Sequence, residues 1–394
     1  MRGGTSKAVF FHESHLPGDP EIRDRVILAA FGSPDPNRRQ IDGMGGSFSS
    51  SSKVAIISRS EDPRYDVVYN FGQVSIDCPI VDYRGNCGNI SSAVGPFAVD
   101  EGLVKAEEPI TRVRIYQKNT KKLIEAEVPV KDGTYSEEGD YAIAGIPGTG
   151  SKITLHFFNP GGSVTGRLFP TDNVVDTLDV EGVGKINVTV IDAANPVALV
   201  SAKDLGLSGT EIEEIDNSET IRDKLEAIRS RAAVLIGLAS TPEEARQHCQ
   251  AVPKIAFLSA TKKYKTVGGG VIGKHEIDLV ARMISMGTLH RAFPVTGAIP
   301  TVGAAMIEGT IAHEMLSQEG LDKEVIRLGH PGGIIEVGAR VEKENNTYEY
   351  REAIVGRTAR RLMEGYVLVP NRYFAKRAVE EKPAIHGSKV PHGE

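Results

Sequence analysis

The stretch RGNCGNISSAVGPFAV, Arg84 to Val99, decides how this chain is read. Gly85 and Gly88 let the backbone come close to a ligand, and the residues after Cys87 read as an apolar helix with small side chains at Ser91, Ser92 and Ala93. The first backbone N–H groups of such a helix have no intrahelical partner and favour carboxylate oxygens. The thiol of Cys87 would stand beside them. The plain alternative is a buried structural cysteine in a tight turn.

Upstream, GGSFSSSSKV (residues 45–54) ends a serine run in Lys53, where the β-type residues KVAIIS begin. Desolvation at the start of a buried strand lowers an amine's pKa from about 10.4 toward the range of a useful base. The bland reading is a polar loop with a snorkelling lysine. Lys53 and Cys87 are too far apart for local geometry, so only the fold can join an amine and a thiol in one pocket.

Composition excludes several classes. The length of 394 residues suggests two or three domains, and 40% hydrophobic with 25% charged residues suits a globular protein. A net charge of −6 gives no basic field for nucleic acid, and KNTKK (118–122) is too short for a patch. No apolar run reaches the roughly 18 residues of a membrane span, and no signal-peptide layout opens the chain. Cys78, Cys87 and Cys249 form neither a disulfide framework nor a CxxC pair. The expected compartment is the cytoplasm. His330 lacks companions at ligand spacing, so no metal is expected. NPGGSVTG (159–166) lacks the GxxxxGK[ST] pattern of a phosphate loop.

The order of elements predicts two similar halves. Asp19 and Pro20 start a helix that Gly32 stops. Strands are predicted around VAIIS, VVYNFG and VSIDCPIV, then the Cys87 helix, then TRVRIYQK, KLIEAEVPV and KITLHFF. The pattern restarts with INVTVID, PVALVSA, a helix from about Thr220, PKIAFLSA, and an apolar helix from about Gly297 to Leu316 entered through Thr296-Gly297-Ala298. No literal repeat accompanies it. The expected organisation is an N-terminal domain over 1–180, a C-terminal domain over 181–375 and a polar tail over 376–394.

MRGGTSK, GMGG, SSSSKV, RGNCGN, VTGAIPTVG and RLGHPGG, in that order, resemble the PrpF-type isomerase family, from Met1 to about Val369. The resemblance implies an α+β, diaminopimelate-epimerase-like fold: two pseudo-symmetric domains, each a curled mixed sheet around a central helix, with the site in the cleft. It implies no metal and no organic cofactor, an unsaturated tricarboxylate such as aconitate or 2-methylaconitate as substrate, and a homodimer. Lys53 matches the family's proton-abstracting base and Cys87 the residue facing it. Relatives usually carry a strand before the RGGTSK motif with which this sequence begins, so the expectation is either a truncated gene or a real loss of an edge strand that exposes apolar surface.

Substrate contacts are expected from Arg2, Gly3, Gly4, Thr5 and Ser6, from the serine run (Ser49, Ser50, Ser51), and from the cysteine turn (Asn86, Gly88, Asn89). In the second half they are expected from Ser285, Met286, His290, Thr296, Gly297 and His330. For Arg2 and His290 a structural contact competes, and for His330 a His-Pro-Gly-Gly chain reversal explains the residues equally. Lys7 and Arg291 are further cationic candidates. The function expected is an isomerase that shifts a double bond by proton transfer. The alternatives are an amino-acid racemase or epimerase, and a catalytically inactive carboxylate-binding paralogue.

Overall fold

The computed structural model describes residues 1–345 and 347–375, so the tail expected at 376–394 lies outside the described residues. Helix α1 (Pro20–Phe31) begins where Asp19 Oδ1 accepts from the N–H groups of Glu21 and Ile22, at 3.0 and 3.2 Å, and stops at Gly32 with φ of +68°. The N-terminal half then supplies β1 (Val9–His12), β2 (Lys53–Arg59), β3 (Val67–Val74), helix α2 (Gly88–Asp100), β4 (Ile110–Gln117), β5 (Lys122–Lys131) and β6 (Ile153–Phe158). After a hairpin of β7 (Asp176–Val180) and β8 (Gly184–Ala193), the second half supplies β9 (Asn195–Ser201), α3 (Glu219–Leu235), β10 (Lys254–Ser259) and β11 (Leu279–Ser285). Helices α4 (Val295–Ala305) and α5 (Ile311–Met315) and strands β12 (Val325–His330), β13 (Gly333–Glu344) and β14 (Thr347–Arg357) complete it.

Strand pairing reads the same from both ends. β1 runs parallel to β2, β2 antiparallel to β3, β3 parallel to β4, β4 antiparallel to β5, and β5 antiparallel to β6. β9 to β10 is parallel, β10 to β11 antiparallel, β11 to β12 parallel, β12 to β13 antiparallel and β13 to β14 antiparallel. The halves join where β6 and β14 pair antiparallel, Ile153 opposite Arg357. Each half thus wraps one apolar helix. Residues Gly88 to Val99 of α2 and all of α4 are buried, because neither carries a charged residue before Asp100 that would need water. This is the diaminopimelate-epimerase-like α+β architecture.

The duplication left a literal trace after all. Lys53-Val-Ala-Ile-Ile-Ser58 of β2 and Lys254-Ile-Ala-Phe-Leu-Ser259 of β10 occupy equivalent strands, each beginning with lysine. The helix expected from Gly297 to Leu316 is two helices. Gly309 (φ +84°) turns the chain, and the Thr310 hydroxyl accepts from His313 N at 3.1 Å while donating to Ala304 O at 2.6 Å. VSIDCPIV does not continue as a strand. Val81 folds back antiparallel to Val74, and Pro79 has no N–H for a ladder.

The hairpin β7–β8 crosses residue 180. Residues beyond β14 return to the first half: Ala359–Arg360 pairs with Arg2–Gly3, Arg361 meets Glu101 at 2.7 Å, and Val367 and Val369 pack on the core around Ile27 and Phe31. Met1 is buried, and its ammonium donates to Ala8 O at 2.8 Å.

Candidate active site

A cleft of about 560 Å³, its mouth included, opens between the two helix N-termini. Ser6, Ser49, Lys53, Asn86, Cys87, Gly88 and Asn89 line it from the first half, and Ser285, Met286, His290 and Thr296 from the second. The fold therefore brings the amine and the thiol into one pocket.

Lys53 is buried at the start of β2, and its Nζ donates to Gln73 Oε1 at 2.5 Å. Gln73 stands opposite Lys53 on β3. Its amide nitrogen donates to the carbonyls of Ser49 and Ser52, at 3.1 and 2.9 Å, which turns its oxygen toward the amine. The serine run is thus a mount for this pair. Gln40 braces it further, donating to Ser52 Oγ at 2.8 Å and accepting from Ser47 N at 2.9 Å. Burial pushes the Lys53 ammonium below the ordinary lysine range, and negative charge at Cys87 works in the opposite direction.

Cys87 caps α2 in extended conformation, with its Sγ 3.9 Å from Ser6 Oγ. Glycine is required beside it, since a Cβ on Gly88 would lie 2.6 Å from Val295 Cγ1 of α4. The two helix starts are clamped by Asn195, the first residue of β9. Its Oδ1 accepts from Asn86 N at 3.0 Å, and its Nδ2 donates to Asn86 O at 3.0 Å and to Thr296 Oγ1 at 3.1 Å.

His290 is neutral here. Burial first lowers it to about 4, against a backbone hydrogen bond at Ala292 that raises it and with charge at Lys53 and Lys254 lowering it further, and among the described residues its Nδ1 is buried without a hydrogen-bond partner. An unpaired buried polar atom in a cleft is costly unless a ligand meets it.

The remaining expected contacts lie outside the lining. The Arg2 guanidinium donates to Gly4 O, Thr358 O and Thr358 Oγ1, at 3.1, 3.0 and 2.9 Å, tying the start of the chain to the residue after β14. Gly3 and Gly4 pack on Asn89, where a Cβ would come within 2.5 and 2.2 Å, and Asn89 Nδ2 donates to Thr5 Oγ1 at 3.1 Å. Ser50 gives its carbonyl to Lys7 N, and Ser51 donates to Phe48 O. Gly297 N–H is taken by Pro294 O at 2.9 Å, and Arg291 pairs with Asp216 at 2.6 Å. His330 is buried in its turn, with Nδ1 accepting from Gly332 N at 3.1 Å. Among the described residues no group of three or more His, Cys, Asp or Glu side chains could hold a metal.

Sequence reasoning passed over Gln73, Asn195 and Lys254, all in the lining. Asn195, between two apolar strand runs, could have been noticed as a polar residue in the wrong place. Lys254 could have been found by aligning KIAFLS with KVAIIS.

The chain is 43% identical over 384 residues to a 2-methyl-aconitate isomerase of Shewanella oneidensis, covering 94% of this chain and 96% of that one. It superimposes on the crystal structure of a methylitaconate-delta-isomerase with a TM-score of 0.77 at 44% identity, covering 97% of each chain. A hydroxyproline epimerase from Agrobacterium vitis shares the fold at a TM-score of 0.51 and 16% identity, over 90% of this chain and 86% of that one. The PrpF protein family matches residues 1–370, and with a doubled fold, a buried lysine and a cysteine in one cleft and these relatives, the chain belongs to that family.

Proposed function

We propose that this protein is an isomerase that shifts the double bond of an unsaturated polycarboxylic acid, of the aconitate or methylaconitate kind, by proton transfer in the cleft. The observation that carries the reading is Lys53, a desolvated amine at the edge of a cavity shared with the Cys87 thiol and two helix N-termini. A neutral amine donates one N–H to Gln73 Oε1 and keeps its lone pair for the substrate.

In the proposed step the allylic C–H bond breaks as an N–H bond forms on Lys53, and the electron pair enters a dienolate delocalised onto the neighbouring carboxylate. Return of a proton two carbons away, from the Lys53 ammonium or the Cys87 S–H, moves the alkene, and rotation within the dienolate gives cis–trans exchange. The free N–H groups at the start of α2 favour the carboxylate where charge develops. The 2-methyl-aconitate isomerase relative supports this choice of substrate.

The test is proton NMR of the purified chain in deuterated water with cis-aconitate, 2-methylaconitate, methylitaconate and oxalomesaconate in turn. Deuterium entering carbon-bound positions of one acid, with a shifted alkene, is the expected result. Label entering a panel of amino acids run under the same conditions instead would point to a racemase, and binding without exchange to an inactive carboxylate receptor.

The compartment proposed is the cytoplasm, supported by three free cysteines. Among the described residues no helix is long and apolar enough to cross a membrane. A homodimer is proposed as well, supported by Tyr366 and Leu368, 96% and 91% exposed. Light scattering of the purified chain tests it.

A further inference from the structure

The cavity holds a second amine that the proton transfer does not use. Lys254 begins β10 as Lys53 begins β2, and both line the same cleft. Its Nζ donates to the carbonyl of Ala251 at 2.8 Å, which occupies one of an ammonium's three donors. Among the described residues it forms no ion pair. The carboxylate of Asp82, also in the lining, is held by Arg84, with Nε to Oδ1 at 2.9 Å and Nη2 to Oδ2 at 2.7 Å. Arg2, expected as a substrate contact, is tied to Thr358 outside the lining.

We propose that Lys254 is a substrate-binding residue whose ammonium receives a carboxylate of the unsaturated acid and offsets the negative charge that would otherwise keep Lys53 protonated. The inference rests on the isomerase reading with Lys53 as base. A polyanion placed against Lys53 stabilises its ammonium and opposes proton abstraction. A cation on the facing wall, supplied by the second half, cancels part of that field. It also holds the acid by one end, so that its allylic carbon lies toward Lys53.

The groups facing Lys254 are Lys53 from β2, Cys87 at the start of α2, Asp82, Arg229 from α3 and the neutral His290. Burial first, then the repulsion of a charged Lys53, lower the Lys254 ammonium to about 8; when Lys53 is neutral, as proton abstraction requires, that repulsion is relieved and Lys254 holds its charge at least to that pH. The sign follows: Lys254 is charged below that pH and loses its charge above it, so kcat/KM should fall on the alkaline side as binding weakens. On the acid side it should fall as Lys53 becomes protonated.

The experiment measures kcat and KM from pH 6 to 10 for the full chain and for Lys254→Met and Lys254→Arg, with whichever of the four acids the parent isomerises. A lost charge-assisted contact should raise KM for Lys254→Met by about 10-fold to 100-fold. It should also remove the alkaline limb and move the acid limb to higher pH, because Lys53 loses a repelling neighbour. Lys254→Arg should keep KM near the parent value and lack the alkaline limb, since guanidinium does not titrate there. It decides the matter alone where the methionine variant does not fold. Parental KM and both limbs retained in Lys254→Met would overturn the inference. So would a lowered melting temperature with unmoved limbs, which is the mark of a lysine that only braces its strand. Lys53→Ala run in parallel separates the two claims. Exchange surviving there overturns the base, whereas a dead Lys53→Ala beside an unaltered Lys254→Met overturns Lys254 alone.

Discussion

In the first half of the molecule a strand beginning at Lys53 and a helix entered through Cys87 meet at the cleft; in the second half a strand beginning at Lys254 and a helix with Thr296 in its first turn reach it from the other side. The order and direction of strand pairing are the same, the surroundings are not. Lys53 faces a carboxamide oxygen aimed at it by two serine carbonyls, while Lys254 meets the carbonyl of Ala251. Cys87 offers a thiol whose hydrogen-bond partner among the described residues is the Ser6 hydroxyl, while the Thr296 hydroxyl is engaged by Asn195 and Asn86. A duplicated fold supplies two equivalent places, and the neighbours decide which becomes a base and which a clamp.

The comparison breaks most visibly at Lys53. Lys53→Ala should lower isomerisation and solvent deuterium exchange by at least about 10²-fold, the usual contribution of a positioned acid–base group. Lys53→Arg should fail as well, because guanidinium keeps its proton. The acid limb of the parent's kcat/KM should lie below the ordinary lysine range, following the downward shift that burial imposes. Exchange that persists in either variant removes Lys53 from the role.

Cys87→Ser comes next. The hydroxyl keeps the volume and polarity but is a far weaker acid, so turnover should drop by roughly 10-fold to 100-fold with KM little changed. Equal turnover in variant and parent would take Cys87 out of the reaction. Cys78→Ser and Cys249→Ser serve as controls, as neither residue lines the cleft.

Part of this asymmetry was legible in the amino-acid order. Glycines around Cys87 and serines before Lys53 are unusual enough to stand out, and α1 announced itself by Asp19-Pro20 and Gly32. Lys254 did not stand out, because PKIAFLSA reads as any strand and Val54/Ile255, Ile56/Phe257 and Ile57/Leu258 blur the repeat. Gln73 was hidden for a related reason: a polar residue in a strand looks solvent-facing until its partner strand is known. We propose that the two units divide before Asp176 rather than at 180, with residues 359–375 belonging to the first. This keeps β7 with β8 and leaves Val367 and Val369 on their core. Strand partners and chain returns of that length are tertiary facts with no local signal.

The helix-to-helix contact can be strained directly. A Cβ at position 88 would sit 2.6 and 2.7 Å from Val295 Cγ1 and Cβ, and 3.3 Å from Phe157 Cζ. Gly88→Ala should therefore destabilise by about 1–3 kcal/mol, the range for overpacked cores, and separate the two helix starts. Melting followed by circular dichroism reads the loss. An unaltered transition would mean that α2 and α4 are free to part.

Thr296→Val should have the smallest effect and the most informative one. It sits where the sequence of the second half aligns with Cys87, Thr-Gly-Ala-Ile against Cys-Gly-Asn-Ile. The hydroxyl accepts from Asn195 Nδ2 at 3.1 Å and donates to Asn86 O at 3.3 Å. Losing both should destabilise by about 1–2 kcal/mol, since valine preserves the shape but leaves buried polar partners unmet. If the second helix start only holds the site together, the rate should fall far less than in Cys87→Ser, and the pH limbs should not move. A loss as deep as that of Cys87→Ser would mean that both helix starts take part in the proton transfer, and the division of labour between the halves would have to be abandoned.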